Sequence, residues 1–133
     1  MAPERRATPR ARGAVGAIIA DQGQLDIPVE RDIYRDRKRV REAMGAAYLA
    51  VLEAINEALS RRGVARKELP RSVDAYRAAH RRHVATRNGK LMREFESLYD
   101  LLHIASYYRG LLYDRKVVRD ALDAAEHFIK KVA

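Results

Sequence analysis

The sequence VREAMGAAYLAVLEAINEAL, residues 40–59, decides the fold class. Its apolar residues recur every three or four positions: Val40, Met44, Ala47, Tyr48, Val51, Ile55 and Leu59. This spacing is typical of an amphipathic helix. We expect the helix to run from about residue 32 to residue 61, because Gly63 follows as a natural C-terminal stop. The small residues Gly45, Ala46 and Ala47 would let another helix approach closely.

Three more segments show the same period. Ser72 is a suitable N-cap for a helix that presents Val73, Tyr76, His80, His83 and Val84 on one face. Asn88-Gly89 interrupts that helix, since both residue types tolerate the left-handed conformation. A further helix runs from about Lys90 to Gly110, and Asp114 caps the last one, which ends near Val132. No alternating strand pattern is present, so the sequence predicts an all-α fold, an antiparallel four- to five-helix bundle.

The ends of the chain and its composition limit the class of protein. Residues 1–13 contain four arginines, two prolines and no apolar period, so we predict a disordered basic tail, followed by a single helical-bundle domain over residues 14–133. The apolar stretch at 14–20 would supply a short first helix.

No apolar run approaches the ~18 residues of a membrane span, and no secretory signal is evident. We therefore expect a cytoplasmic protein without a membrane partner. The absence of cysteine excludes disulfides and thiolate chemistry.

The formal net charge of +9 is unevenly distributed. Residues 31–67 and 68–93 carry +5 each, residues 1–30 are neutral, and residues 94–133 carry −1. A local excess of this kind attracts phosphates or an acidic protein surface, although a solvated charged face is the simpler alternative. The predicted nucleic-acid or polyanion surface combines the acid-free stretch 77–93 with bases at the start of the long helix: Arg77, Arg81, Arg82, Arg87, Lys90, Arg93, Arg35, Lys38 and Arg41.

An aromatic group forms the second candidate site. Its members lie on the inward stripes of three predicted helices: Tyr48, Tyr76, Tyr99, His103 and Tyr107. Such a cluster is usually structural core, and it can also line a small pocket. The pattern supplies no nucleophile, paired carboxylates or glycine-rich phosphate loop beside it. We predict no metal or cofactor, since the His80/His83 and Asp100/His103 pairs do not complete a ligand set.

Four sequence segments resemble a family of small bacterial four-helix-bundle proteins catalogued as a domain of unknown function. They are GAAYLAVLEAI, SVDAY, LLHIASYYRG and ALDAAEHFI, and the resemblance covers about residues 34–132. It implies a fold and no activity. Arg109 stands where the family commonly has an acid. In outline the bundle is also similar to the HEPN superfamily, which includes RNases.

Two function classes follow from these observations. The first is a non-enzymatic interaction module whose basic face contacts nucleic acid or an acidic protein, with self-association through the long helix as a further expectation. The alternative is a HEPN-like, metal-independent RNase or toxin–antitoxin component that uses Arg77 and His83. HEPN RNases separate their Arg and His by four to six residues. With 21 arginines and four histidines, chance supplies about two such pairs in this chain.

Overall fold

The computed structural model describes the backbone of residues 29–30, 33–34, 37–108 and 114–132, and the side chains of 37–104 and 114–132. It opens on a small antiparallel pair, β1 (Val29–Glu30) and β2 (Ile33–Tyr34), in which Val29 faces Tyr34 and Glu30 faces Ile33. The sequence predicted no strand, because two residues are too few to show an alternating pattern. The predicted basic tail and the helix at 14–20 lie outside the described residues.

The rest of the described chain is helical, which confirms the all-α prediction. The elements are α1 (Arg37–Arg61), a 3₁₀ turn (Arg66–Glu68), α2 (Val73–Ala79), α3 (Gly89–Leu98) and α4 (Arg115–Val132). Two of them continue as π-helices, α2 through His80–Val84 and α3 through Tyr99–Tyr108. The bond from the Ala85 amide to the His80 carbonyl, 2.7 Å long, spans five residues as a π-turn requires.

The helix ends follow the predicted signals with two exceptions. Helix α1 begins at Arg37 and not at about residue 32, because residues 33–34 form β2. The Ser72 hydroxyl accepts from the Ala75 amide at 3.1 Å, and the Asp114 carboxylate accepts from the Val117 amide at 3.1 Å. Gly63 ends α1 with a φ of 91°. In the turn before α3, however, the left-handed residue is Arg87, with a φ of 60°. Asn88 caps α3 instead, because its side-chain oxygen accepts from the Leu91 amide at 3.0 Å.

The C-terminal ends of α1 and α4 lie together at one end of the bundle. Arg61 Nη2 donates to the carbonyl of Val132, 3.4 Å away. The beginning of α3 reaches the same end, since Lys131 Nζ of α4 lies 2.7 Å from Glu94 Oε1. Helix α3 therefore runs antiparallel to α4 and to α1, and the turn at 85–88 lies at the end where both of them finish.

Helix α1 occupies the middle of the bundle. From Ala50 to Leu59 every residue is buried or half-buried, because the π-helical part of α3, α4 and the end of α2 pack around it. The first half of α1 is less covered, and Leu49 there is 65% exposed. The exposed apolar surface that the expected self-association of the long helix would use thus lies in its first half.

His80 is a fully buried polar residue in this core. Its ring lies 5.4 Å from the ring of Phe95 and 5.5 Å from that of Phe128. Nε2 donates to the Leu91 carbonyl at 3.4 Å, since a carbonyl only accepts, and Nδ1 has no hydrogen-bond partner among the described residues. Burial lowers the pKa of His80 and outweighs the raising effects of the Leu91 carbonyl and of Glu96.

This burial predicts a loss of stability in mild acid. The unfolded chain binds a proton at His80 near pH 6.5, whereas the folded chain binds it only at lower pH. As pH falls below 6.5, the free energy of unfolding should therefore decrease, by at most about 1.4 kcal/mol for each pH unit. His80→Phe keeps an aromatic ring between Phe95 and Phe128, so it should remove this part of the dependence. Urea denaturation between pH 7.5 and 5.5 measures it.

The matched control is the exposed His127, whose replacement by Gln should leave the pH dependence of the wild type in place. Equal pH slopes in wild type and His80→Phe would show that the His80 ring is not the group responsible.

Candidate functional site

Five cations of the stretch 81–93 lie on the outer surface where α2 ends and α3 begins. We call them the basic end: Arg81, Arg82, Arg87, Lys90 and Arg93. All five are exposed, and within the described residues none of them takes part in an ion pair. The inward orientation of His80 explains the exposure of the next two residues, because a helix that buries one side chain turns its neighbours outward.

Two concave surfaces adjoin the basic end. The first, a cleft of about 350 Å³, joins Arg82 and His83 to the C-terminal end of α1 at Leu59, Arg62 and Gly63. The second, a groove of about 440 Å³, lies between α3 and α4, and we call it the α3–α4 groove. Its lining residues are Lys90, Arg93, Glu94, Ser97, Leu98, Leu101, Ala124, His127 and Lys131.

Arg77 does not join the basic end, although the sequence placed it there. Its Nε lies 2.8 Å from Glu96 Oε2, and its Nη1 lies 2.9 Å from Asp74 Oδ1. The guanidinium carbon also sits 4.9 Å from the centre of the Tyr99 ring. A cation held by two carboxylates and a ring is not an open phosphate contact. The sequence could not show this, because Glu96 lies 19 residues further along the chain.

The bases at the start of α1 are also separate from the basic end. Arg82 and His83 pack beside Leu59 and Gly63, near the C-terminal end of α1. Lys38 and Arg41 lie in its first turns, and a helix of 25 residues is about 37 Å long. Lys38 lies 4.0 Å from Glu42, and Arg35 is outside the described residues. The predicted continuous surface is therefore divided between two ends of the bundle.

The residues proposed for RNase chemistry are not brought together within the chain. Arg77 faces Glu96 and Tyr99, whereas His83 lines the cleft beside Arg62. The histidines of the HRRH sequence also diverge, since His80 is in the core and His83 is half-buried at the surface. Among the described residues, no group of three His, Asp or Glu side chains is arranged to hold a metal ion.

The predicted aromatic cluster forms around Tyr48. The rings of Tyr48 and His103 stack with centroids 4.7 Å apart and an interplanar angle of 17°. Tyr99 completes the group at 5.9 Å from Tyr48 and 5.6 Å from His103. Tyr76 is buried beside Asn56, with which it shares a side-chain hydrogen bond. The side chain of Tyr107 lies outside the described residues.

Both interpretations of this cluster apply to parts of it. Tyr48 is only 7% exposed, so it is a core residue. One side of it nevertheless borders an open cleft of about 350 Å³, which Gly45, Ala46, Leu49 and His103 also line. Gly45 and Ala46 thus border a cleft. The sequence predicted that Gly45, Ala46 and Ala47 would let another helix approach, and of these three only Ala47 is buried.

Burial, aided by the nearby Tyr99, raises the pKa of Tyr48 to about 12, so its phenol stays protonated at neutral pH.

Residues 24–133 match the profile of the family described as Domain of unknown function (DUF5618). The chain belongs to the DUF5618 family. The match begins ten residues before the predicted start at 34, so it includes the β1–β2 pair. This confirms the resemblance to a domain of unknown function, whereas these comparisons do not show the HEPN likeness.

A solved structure extends the comparison to the fold of the DUF5618 chain. It is described as a protein of unknown function from Dyadobacter fermentans, and it superimposes with a TM-score of 0.66 at 25% sequence identity. The alignment covers 90% of this chain and 91% of that one. No curated protein matches the sequence. None of the described helices has the length and apolar character needed to cross a membrane.

The Tyr48 cluster yields a stability prediction for this DUF5618 chain. Tyr48→Ala removes a buried ring with two aromatic neighbours, so the free energy of unfolding should fall by about 3–5 kcal/mol. The adjacent Leu49 is the matched control, because truncation of this exposed side chain should change stability by less than about 0.5 kcal/mol. Urea denaturation of both variants tests this, and a Tyr48→Ala variant as stable as Leu49→Ala would contradict the core assignment.

Proposed function

We propose that this DUF5618 chain is a non-enzymatic interaction module that binds a polyanionic partner through the basic end. The observation that carries the proposal is the set of five exposed cations that form no ion pair with any described residue, in a stretch of 13 residues that holds no acid. Three other exposed cations are paired, Lys116 with Asp120, Lys130 with Glu126 and Lys131 with Glu94. The remaining exposed cations without an ion pair among the described residues are Arg66, Lys67, Arg71 and Arg119, so the basic end is distinguished by the number of cations in one acid-free stretch.

Electrostatics give the basic end a reason to bind an anion. Like charges close together on a surface repel one another, and an anionic partner relieves that repulsion. When the partner is a charged polymer such as a nucleic acid, binding also releases the counterions condensed on it. This release makes the affinity depend steeply on salt. The cations supply this attraction without selecting a sequence, because phosphate contacts position a protein and base contacts specify.

The backbone of Arg87 supports the proposal independently. Its φ of 60° places a long side chain in the left-handed region, which costs a residue with a Cβ roughly 1–2 kcal/mol. Glycine or asparagine would occupy this position at lower cost. Strain of this kind accumulates at functional positions, so an arginine here is consistent with a role for its charge.

The charged residues around the two concave surfaces are mainly cationic. Among the described residues, Glu68 is the carboxylate of the cleft beside α1, where Arg62 and Arg82 also lie, and Glu94 is the carboxylate of the α3–α4 groove, where it is bound to Lys131. Each surface also has a histidine, His83 in the cleft and His127 in the groove. An excess of cations over carboxylates suits the retention of an anion.

Charge reversal at the basic end tests the proposal. The triple variant Arg81→Glu, Arg82→Glu, Arg87→Glu should abolish binding of fluorescent duplex and single-stranded oligonucleotides of unrelated sequence, as measured by anisotropy. In the wild type, log K against log salt should fall by about 0.9 for each duplex phosphate contact, or about 0.7 on a single strand.

The control variant replaces Lys38, Lys116 and Arg119 by Glu, which changes the net charge equally at exposed positions outside the basic end. This variant should retain most of the binding. Equal losses in both triple variants would mean that the partner responds to net charge alone, and the basic end would lose its assigned role.

Replacement of Arg87 separates the effect of its charge from that of its backbone. Arg87→Gly relieves the left-handed strain, so stability should stay the same or rise by up to about 1 kcal/mol. Its polyanion binding should weaken, and the salt slope should fall by about 0.7–0.9, because one phosphate contact is lost. Arg87→Lys keeps the charge and should bind as the wild type does. Undiminished binding by Arg87→Gly would remove Arg87 from the contact surface.

A further inference from the structure

The α3–α4 groove has one charged end and one apolar end. Lys90 and Arg93 stand at the beginning of α3, where Lys131 of α4 also lies. Leu98 and Leu101 line the groove further along α3, opposite the exposed Ala124 of α4. Because α3 and α4 are antiparallel, all the cations fall at the basic end and the apolar floor extends away from it. The groove is therefore a continuation of the basic end, with a different chemistry.

Small side chains keep the groove open. Ser97 on α3 and Ala124 on α4 are exposed and line its apolar part, where longer side chains would take up space between the two helices. The lining residues of α3 recur at helical spacing from Lys90 to Leu101, a distance of about 16 Å at 1.5 Å per residue. A partner helix of about three turns has that length.

We infer that the α3–α4 groove receives an amphipathic helix of a partner protein, whose apolar face lies on the floor and whose glutamates or aspartates meet Lys90 and Arg93. Helices bind in this way when an apolar groove accepts side chains at positions i, i+3, i+4 and i+7. Charge complementarity at one end then fixes the direction of the bound helix. The inference rests on the proposed function and identifies the polyanionic partner as an acidic helical peptide.

The lining of the groove favours a peptide over a nucleic acid. Single-stranded nucleic acids stack successive bases on several aromatic rings, whereas His127 supplies one imidazole and no Tyr or Phe is among the described residues that line the groove. An apolar floor offers a phosphate backbone neither a charge nor a hydrogen bond. It stabilises buried leucine side chains by roughly 25 cal/mol for each Å² of apolar surface removed from water.

Two synthetic peptides of the same composition test the inference with the full chain. The first is a helix of about four turns that carries leucines on one face and glutamates beside them. The second contains the same residues in scrambled order, so its charge is equal and its apolar face is lost. The first peptide should bind at least about tenfold more tightly than the second, in anisotropy at physiological salt.

Variants of the groove floor complete the experiment. Ala124→Glu and Ser97→Glu each place a charge at an exposed position of the floor, so each should weaken binding of the first peptide by about tenfold or more. Ala46→Glu is the matched control, because it makes the same change at an exposed position of α1 and should bind as the wild type. Circular dichroism of each variant checks that the helices are retained.

The outcomes separate this inference from the proposed function. If both peptides bind equally and the floor variants match Ala46→Glu, the groove receives no helix, and the basic end acts through charge alone. If an oligonucleotide binds and loses affinity in the floor variants, the groove belongs to a nucleic acid and the inference is overturned. If neither the peptides nor the oligonucleotides bind, the proposed function fails together with the inference.

Discussion

The position of His80 in the core is the constraint on which the proposed contact surface depends. The imidazole lies between Phe95 of α3 and Phe128 of α4, and it donates to the backbone of Leu91. One side chain thereby joins the end of α2 to the two helices that form the groove. Since His80 points inward, the arginines directly after it point outward. Burial of Nδ1 is costly, because this nitrogen has no hydrogen-bond partner among the described residues. Burial also disfavours the protonated ring, so the bundle loses stability in acid.

The two halves of the bundle use their charges differently. Around Tyr48 and Tyr99, the Arg77 guanidinium is fixed by Glu96 and Asp74, and the aromatic rings pack beside it. That arrangement stabilises the bundle. Where α2 ends, five exposed cations of an acid-free stretch stand in solvent without carboxylate partners among the described residues, which favours an external anion. This local density of cations, more than the net charge of +9, is the basis of the proposed contact surface.

The helices and their ends could be predicted because their causes are local. The period of Val40, Met44 and Val51 identifies α1, and the hydroxyl of Ser72 and the φ of Gly63 act within one turn of their own positions. The cluster of Tyr48, Tyr99 and His103 could be predicted as well, since its members lie on the inward stripes. The family resemblance covered the same segments, and the family match confirms it.

The remaining features depend on tertiary structure, which a single sequence does not show. The π-helical continuation of α2 and α3 has no residue signature, because only the backbone bonds change. The pairing of Arg77 with Glu96 depends on which helix lies opposite. The separation of Lys38 and Arg41 from the basic end follows from the direction in which α1 runs. A count of charges along the sequence gives no information about that direction. The α3–α4 groove was missed for the same reason, although the small residues Ser97 and Ala124 at outward positions were a signal for it.

The most direct test of the contact surface is a map of backbone amide chemical shifts in the ¹⁵N-labelled chain during titration with the acidic amphipathic peptide. We predict that the largest changes fall on the exposed residues within 81–101 and 124–131, with buried residues of the same ranges such as Phe95 and Phe128 less affected. Changes centred on the first half of α1 and on the cleft beside Tyr48 and Leu49 would contradict the account, because they would place the contact surface at the other end of the bundle.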